Sequence, residues 1–273
     1  MGVSEQAGLY FTTHFVYVAN AMSEINLNGK VAVITGASKG LGKAMALALG
    51  GAGASVALVS RDIEKLSEVK QALEKLGGTA RIFQADVSDE GQIRQLEHDV
   101  MAAFHGVHIL INNAGVNLRK QLVEFTLEEW RRVIDSNLTS VFLMCRSFVP
   151  HMKGTGYGRV INMASIMSRV SLPGRSAYSA SKAALLGLTR ALALEVAPEG
   201  ITVNAISPGP FATEMNTPLI QNPELNRQFL SKIPLGRWGR VEEVGRLALH
   251  LCSEHSGFIT GTDILIDGGW TAQ

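Results

Sequence analysis

The chain has few cysteines, few charged side chains and no long apolar run, and each shortage excludes a class of protein. Its 273 residues include two cysteines, Cys145 and Cys252, far apart and without metal-ligand spacing, so we expect neither a disulfide framework nor a metal site. The formal net charge is +1, which gives no reason to expect a nucleic acid or a membrane surface as a partner. No apolar stretch is long enough to cross a bilayer. These shortages favour a globular protein of a reducing compartment, and we expect it in the cytoplasm.

The first two dozen residues differ from the rest of the chain. Residues 9–18 are apolar and aromatic in places, yet no lysine or arginine precedes Lys30. The charged start of a secretory signal and the arginines of a transit peptide are therefore both missing. We interpret residues 1–26 as a flexible or dispensable extension. Met22 stands shortly before the first strand-like run, and we expect a chain that starts there to fold, assemble and turn over normally.

From Lys30 onward, short apolar runs alternate with amphipathic stretches. The strand-like runs are residues 31–35, 55–59, 80–84, 107–111, 159–163, 202–206 and 264–266. Helical patterns include residues 63–76, 91–104 and 127–149, and Thr126 and Glu129 form a capping box before the last of these. Continuous apolar runs are typical of parallel strands that helices cover on both faces. We therefore predict an α/β fold over residues 27–273, with a single doubly wound parallel sheet of seven strands.

A glycine-rich turn follows the first predicted strand. Residues 36–42 read Gly-Ala-Ser-Lys-Gly-Leu-Gly and precede a helix rich in alanine and leucine. Such a turn lets the backbone approach a pyrophosphate held at the helix N-terminus. Gly36 would permit the turn, Gly40 the close approach, and Gly42 a contact between helix and strand. The G-x-x-x-G-x-G spacing is weak evidence alone, but its place after the first strand of an alternating pattern favours a dinucleotide site.

The ordered motifs of the chain resemble those of the classical short-chain dehydrogenase/reductase family over residues 27–270. Those motifs are Thr-Gly-Ala-Ser-x-Gly-x-Gly at 35–42, Asp86, Asn-Asn-Ala-Gly at 112–115, Asn137, Ser165, Tyr-x-x-x-Lys at 178–182, Pro-Gly at 208–209 and Asp-Gly-Gly at 267–269. The resemblance implies a Rossmann-type fold and a homotetramer. It also implies an oxidoreductase that transfers a hydride between NAD(P)(H) and a small-molecule substrate. The substrate would be a carbonyl compound or a secondary alcohol.

The resemblance implies a set of cofactor-binding residues. They are Gly36, Ser38, Lys39, Gly40, Leu41, Gly42, Ser60, Arg61, Asp86, Val87, Asn113, Ala114, Gly115, Tyr178, Lys182, Pro208, Gly209 and Thr213. Asp86 and Val87 would hold the adenine, residues 113–115 would wall the pocket, and Thr213 would hold the nicotinamide carboxamide.

The end of the second predicted strand favours NADP(H) over NAD(H). A carboxylate there accepts hydrogen bonds from the ribose hydroxyls of NAD and repels the extra phosphate of NADP. Ser60 stands at this position and Arg61 follows it, with a fork of donors that suits a phosphate. Lys39 supplies a second cation on the same side. NAD(H) stays possible, since a shift of one residue would place Asp62 near the ribose.

Tyr178 and Lys182 lie four residues apart, so a helix places both on one face. A free tyrosine has a pKa of about 10, and we expect the neighbouring ammonium to lower it toward the working pH. Ser165, after the fifth predicted strand, would hydrogen-bond the substrate oxygen. By the resemblance, Asn137 would support a helix bend and a water that relays protons to Lys182. The expected catalytic residues are Asn137, Ser165, Tyr178 and Lys182.

Three arginines, Arg119, Arg169 and Arg175, are expected near the mouth of a substrate pocket, together with Met167. They favour a small hydroxylated or carboxylate-bearing substrate. We expect residues 209–238 to form a helical lid that closes over this pocket and excludes water. The residues at 113–119, 233–239 and 267–270 resemble the sugar-acid dehydrogenases, of the gluconate 5-dehydrogenase and 2-deoxygluconate 3-dehydrogenase kind.

Two alternatives to a sugar-acid or polyol dehydrogenase stay open. The 3-oxoacyl-carrier-protein reductases are similar in their core motifs, but they dock an acidic carrier on basic residues at positions that correspond to Gly156 and Glu199 here. A glutamate there would repel the carrier. A non-catalytic NADP-binding regulatory protein on the same fold would have lost the serine, tyrosine or lysine, and none is lost.

Overall fold

The computed structural model describes residues 25–273, and its strands form one parallel sheet. The strands are β1 (Val31–Thr35), β2 (Ser55–Ser60), β3 (Thr79–Gln84), β4 (Ile109–Asn112), β5 (Gly158–Met163), β6 (Ile201–Pro208) and β7 (Asp263–Ile266). Their order across the sheet is β3-β2-β1-β4-β5-β6-β7, and all neighbours are parallel. The chain reverses its direction of travel across the sheet between β1 and β4, where a crevice opens at the carboxyl ends of the strands. The predicted seven-stranded α/β fold is confirmed.

Helices alternate with the strands and cover both faces. They are α1 (Gly40–Gly51), α2 (Ile63–Lys75), α3 (Glu90–Phe104), α4 (Leu127–Ile134), α5 (Ser140–Phe148), α6 (Ser176–Val196), α7 (Thr217–Gln221), α8 (Pro223–Leu230) and α9 (Val241–Cys252). The side chains of Asp62 and Asp89 accept backbone hydrogen bonds at the N-termini of α2 and α3, as good N-caps do. The predicted capping box of Thr126 and Glu129 is present at α4. None of the helices within residues 25–273 is both long enough and apolar enough to span a membrane.

The predicted helix over 127–149 is interrupted. It ends at Ile134 and resumes at Ser140, and a π-helical turn, Asp135–Thr139, lies between. Such a turn holds one extra residue and redirects side chains, often at a functional site. It places Asn137 in the interior, with none of its surface exposed.

The hydrophobic core lies on both faces of the sheet. Ala32 and Ile34 of β1 belong to one buried cluster and Val33 belongs to the other. Because successive strand residues point to opposite faces, this arrangement explains the continuous apolar runs. Of the predicted extension, residues 1–24 lie outside the described residues, and Ile25 packs against the first cluster.

Candidate active site

The glycine-rich turn joins β1 to α1 with a backbone that requires glycine. Gly36 and Gly40 have φ values of +63° and +54°, a conformation that a side chain disfavours. A Cβ on Gly42 would clash with the carbonyl oxygen of Gly36 and lie 2.5 Å from Nδ2 of Asn113. Gly42 therefore allows α1 to approach the turn itself and the loop after β4, rather than the expected strand.

Hydrogen bonds fix the loop after β4 against this turn. The backbone N–H groups of Asn113 and Ala114 donate to Oγ1 of Thr35 over 2.9 and 3.0 Å. The Asn113 side-chain amide also donates to the carbonyl oxygens of Thr35 and Gly36. The two walls of the crevice are thus held together by one hydroxyl and one amide.

A cavity of about 420 Å³ occupies this crevice, and most of the predicted site residues line it. The predicted cofactor residues that line it are Gly36, Ser38, Lys39, Gly40, Leu41, Ser60, Arg61, Asp86, Val87, Asn113, Ala114, Gly115, Tyr178, Lys182, Pro208, Gly209 and Thr213. The other predicted site residues that line it are Ser165, Met167, Arg119 and Arg175. Within the described part of the chain, three predicted site residues stand outside this lining: Gly42, Asn137 and Arg169.

At one end of the cavity, β2 ends at Ser60, so no carboxylate occupies the strand end that would select NAD(H). Arg61 forms an ion pair with Asp86, with 3.2 Å between Nη1 and Oδ2. Burial raises the pKa of Asp86, but hydrogen bonds from Ser88 and the charge of Arg61 outweigh it and give a lowered pKa. Asp62 does not line the cavity, because its carboxylate caps α2 by accepting from the backbone N–H of Lys65.

Tyr178 and Lys182 lie one turn apart on α6, opposite the end of β5. The Lys182 Nζ donates to the carbonyl oxygen of Met163 over 2.6 Å and lies 5.7 Å from the centroid of the Tyr178 ring. Ser165 follows β5 and is 7% exposed. Its Oγ accepts a hydrogen bond from the backbone N–H of Met167. The strand end and the helix thus bring a hydroxyl, a phenol and an ammonium to one side of the cavity.

Asn137 supports this arrangement from behind the cavity wall. Its Oδ1 accepts from the Val116 N–H over 2.8 Å, and its Nδ2 donates to the Val116 carbonyl and to Oγ of Ser181. The side chain therefore joins the π-helical turn, the loop after β4 and α6. Burial of Asn137 without these partners would be costly.

Burial is the largest influence on the pKa values of Tyr178 and Lys182. It lowers the pKa of Lys182 to about 8. Burial also raises the pKa of Tyr178, against the opposite effects of a hydrogen bond from Ser165 and the charge of Arg175. The expected lowering of the Tyr178 pKa by Lys182 is not found, because the ammonium donates to the Met163 carbonyl and burial raises the pKa of the phenol.

Two of the three predicted arginines face the cavity together. The backbone N–H of Lys120 donates to the Gly174 carbonyl over 3.1 Å, which brings the neighbouring Arg119 and Arg175 close to each other. Burial and the charge of Arg119 lower the pKa of Arg175. Arg169 is placed differently, since its Nε lies 2.9 Å from Oδ2 of Asp263 on β7.

Three aromatic side chains in the cavity lining, Phe229, Trp238 and Trp270, form an aromatic wall. Phe229 of α8 stacks on Trp238, with ring centroids 5.6 Å apart and planes 13° apart, and Trp270 lies 5.7 Å from Phe229. The Trp238 indole N–H donates to Oδ1 of Asn226. Trp270 lies far along the chain from Phe229 and Trp238, so no local spacing in the sequence predicts this group. Asn117, two residues after Gly115, also lines the cavity.

Comparison with known proteins finds relatives over most of the chain. A family model described as enoyl-(acyl carrier protein) reductase matches residues 36–271. 3β-Hydroxysteroid dehydrogenase 1 of Eggerthella lenta is 41% identical over 248 residues, 90% of this chain and 95% of that protein. A 3-oxoacyl-[acyl-carrier-protein] reductase of Aquifex aeolicus is 35% identical over 247 residues, 90% of this chain and 99% of that protein.

A third relative and a solved structure belong to sugar-acid metabolism by name. The 2-dehydro-3-deoxy-D-gluconate 5-dehydrogenase of Bacillus subtilis is 36% identical over 259 residues, 94% of this chain and 99% of that protein. The crystal structure of a gluconate 5-dehydrogenase from Burkholderia cenocepacia, in complex with NADP and tartrate, matches with a TM-score of 0.87 and 32% identity, over 93% of this chain and 99% of that chain. The chain belongs to the short-chain dehydrogenase/reductase family and is an oxidoreductase.

Proposed function

We propose that this protein is an NADP(H)-dependent dehydrogenase of a small hydroxylated acid, such as a sugar acid. The observation that carries the substrate class is the pair of arginines, Arg119 and Arg175, beside Tyr178 in the cavity. Within residues 25–273, neither guanidinium has a carboxylate partner, unlike Arg169. Two adjacent cations beside the reacting group suit a substrate carboxylate, which a guanidinium binds with two parallel hydrogen bonds.

The cavity fits an NADP(H) cofactor. Gly36 and Gly40 leave the backbone of the turn open to a pyrophosphate at the start of α1, which a side chain on either would obstruct. Lys39 and Arg61 at the β2 end, where no acid ends the strand, suit the 2′-phosphate. When bound, NADP(H) supplies or accepts the hydride.

The residues of this chain then handle the substrate oxygen and its proton. During carbonyl reduction, the Tyr178 phenol donates its proton to the oxygen as the carbon gains the hydride; during alcohol oxidation, the phenolate takes that proton back. The Ser165 hydroxyl orients the same oxygen. Lys182, with a pKa of about 8, exchanges a proton with Tyr178 near neutral pH. Asn137 positions α6 and the loop after β4.

Two other substrate classes have support of their own. The aromatic wall of Phe229, Trp238 and Trp270 favours an apolar ring substrate, such as the steroid named in the Eggerthella relative. The carrier-protein alternative has less support. Glu199 accepts a hydrogen bond from the Gly154 N–H, so it lies beside the loop that holds Gly156. An acidic carrier would meet a carboxylate on this surface.

We also infer that residues 27–273 form a single catalytic domain with a lid over 209–238, which acts as a homotetramer in the cytoplasm. The short helices α7 and α8 and two residues of the aromatic wall, Phe229 and Trp238, belong to the lid segment. The family resemblance and the exposed leucines and phenylalanine on α4, α5 and α6 support the tetramer.

A matched pair of arginine variants tests the substrate class. Arg119→Gln should raise KM for gluconate by about tenfold or more, as loss of a charged hydrogen bond does, and should leave KM for the uncharged polyol glucitol within twofold. Arg169→Gln is the control and should change neither value, because Arg169 faces Asp263. Equal effects of Arg119→Gln on both substrates would contradict recognition of the carboxylate. Faster turnover of a 3β-hydroxysteroid or of a 3-oxoacyl carrier protein would establish one of the other classes.

A further inference from the structure

The candidate phosphate-binding cations of the cavity already have carboxylate partners. The Lys39 Nζ lies 3.5 Å from Oε2 of Glu214, and the Lys65 Nζ lies 4.0 Å from the same oxygen. The Lys65 Nζ also lies 3.9 Å from Oδ2 of Asp62. Arg61 is paired with Asp86. An anion is therefore held where the sequence predicts that the phosphate of a cofactor binds.

The ion pairs of Glu214 link separate segments of the chain beside the cavity. Lys39 precedes α1 and Lys65 lies in the first turn of α2, whereas Glu214 begins the first turn of the lid segment. Lys39 and Glu214 both line the cavity. A Cβ on Gly40 would touch the Thr213 side chain at 3.7 Å, so the glycine-rich turn and the base of the lid approach each other here.

These pairs are weak enough to exchange. The side chains of Lys39, Lys65 and Glu214 are 56%, 43% and 60% exposed, and exposed ion pairs contribute little free energy. A phosphate monoester carries more negative charge than one carboxylate and offers three acceptor oxygens. Such a group competes well for two lysines that share a single carboxylate oxygen.

We propose that Glu214 is an internal counter-ion that the 2′-phosphate of NADP(H) displaces, and that Lys65 joins Lys39 as a ligand of that phosphate. The proposal rests on NADP(H) being the cofactor. Before the cofactor binds, Glu214 ties the base of the lid to the glycine-rich turn. Cofactor binding transfers both lysines to the phosphate and releases this tie. NAD(H), which lacks the 2′-phosphate, leaves the Lys65–Glu214 pair in place.

Binding measurements on the full chain test the exchange without relying on turnover. Glu214→Gln removes the competing charge, so the Kd of NADPH should fall about two- to fivefold, while the Kd of NADH stays within about 1.5-fold. Lys65→Gln should raise the Kd of NADPH and leave the Kd of NADH unchanged. Glu224→Gln is the control, because Glu224 lies in α8, pairs with Arg227 and is not part of the cavity lining; it should alter neither Kd. The Kd values come from titration of the nicotinamide fluorescence.

A second measurement reports on the contact between Glu214 and the glycine-rich turn. Hydrogen–deuterium exchange at residues 213–221 should be faster in cofactor-free Glu214→Gln than in the cofactor-free wild type. It should not differ for Glu224→Gln. If Glu214→Gln fails to fold, Lys65→Gln carries both measurements.

The outcomes separate this inference from the proposed function. Equal shifts of both Kd values, or no shift with either variant while the wild type prefers NADPH, would overturn the counter-ion role and leave NADP(H) as the cofactor. A wild type that binds NADH more tightly than NADPH would overturn the proposed cofactor itself, and this inference with it.

Discussion

At the scale of single residues, the buried Lys182 behaves unlike a lysine side chain in water. It is 5% exposed, and burial lowers its pKa to about 8. In the described part of the chain its ammonium has the Met163 carbonyl as partner and no carboxylate. A pKa of about 8 is close enough to neutral pH to suit the proton exchange that we propose for Lys182.

Removal of the Tyr178 hydroxyl should separate catalysis from binding. Tyr178→Phe keeps the ring but removes the proton donor, so kcat should fall by about 10³-fold, in the range for loss of an acid–base group. The Kd of NADPH should stay near the wild-type value. Lys182→Ala should lower both kcat and cofactor affinity. Turnover is followed at the nicotinamide absorbance, and a Tyr178→Phe enzyme that keeps most of its rate would refute the proposed role.

The depressed pKa of Lys182 should also appear in the stability of the cofactor-free protein. Its folded pKa of about 8 lies below the ordinary value of 10.5, so the unfolded chain binds more protons between these pH values. The Lys182 contribution to the free energy of unfolding therefore rises with pH across this window, by on the order of 3 kcal/mol. In urea unfolding, the free energy of unfolding of the wild type should rise relative to that of Lys182→Met as the pH increases from 8 to 10.5. A difference independent of pH would mean that the ammonium is not buried as described.

At the scale of elements, the site depends on two departures from regular structure. The turn before α1 uses positive φ at Gly36 and Gly40, and the π-helical turn places Asn137 against Val116. Both bring the loop after β4 close to α1 and α6. The strands and helices place the site residues roughly, and these two turns set the final contacts.

Two glycines of α1 provide a matched test of the close approach. Gly42→Ala would place a methyl group against the Gly36 carbonyl and Asn113, so it should abolish NADPH binding and lower the free energy of unfolding by at least about 2 kcal/mol, as overpacking does. Gly51→Ala meets no atom within 4 Å and should raise stability by up to about 1 kcal/mol, because alanine favours a helix. Calorimetry and fluorescence titration measure both. Normal NADPH binding by Gly42→Ala would contradict the close approach.

The sequence predicted regular elements better than their interruptions. Residues 31–35 were predicted as a strand and form β1. The run at 107–111 begins too early, since the ladder of β4 starts at Ile109 although Val107 is buried. The apolar periodicity did not predict the π-helical turn, because one inserted residue leaves the pattern of 127–149 almost unchanged; only the family resemblance implied a bend at Asn137. Its cause is tertiary: the Asn137 amide bonds with the Val116 backbone.

The residues of the candidate site likewise fall into those that the sequence predicted and those that it did not. Motif spacing located the residues on strand ends and in the glycine-rich turn, because the topology brings those ends to one edge of the sheet. It could not separate Arg169 from Arg175, since the difference depends on Asp263 of β7. The rings of Phe229, Trp238 and Trp270 meet only through the path of the lid segment, which no local period reveals.

At the scale of the whole molecule, apolar side chains remain exposed on α4, α5 and α6, the helices that support the proposed tetramer. Leu127, Phe142 and Leu194 are 62%, 47% and 80% exposed. Isolated apolar residues on a surface are ordinary, but a group on α4, α5 and α6 is consistent with an isologous contact between subunits.

A charge in this group should disrupt the proposed tetramer. Leu194→Glu would bury a carboxylate at the two-fold contact, so light scattering after size exclusion should show species smaller than the tetramer at micromolar concentration. Leu76→Glu is the control, because Leu76 is 63% exposed but follows α2, on a different face. It should leave the mass of the assembly unchanged. A Leu194→Glu protein that stays tetrameric would place the interface elsewhere.

The most direct test of the account is the kcat/KM of the unmodified full chain for gluconate, measured with NADP⁺ and with NAD⁺ at the nicotinamide absorbance. The end of β2 at Ser60, the cations Lys39 and Arg61, and the arginine pair at the substrate side predict turnover with a preference for NADP⁺. A preference for NAD⁺, or no turnover of gluconate or any other sugar acid with either cofactor, would contradict it.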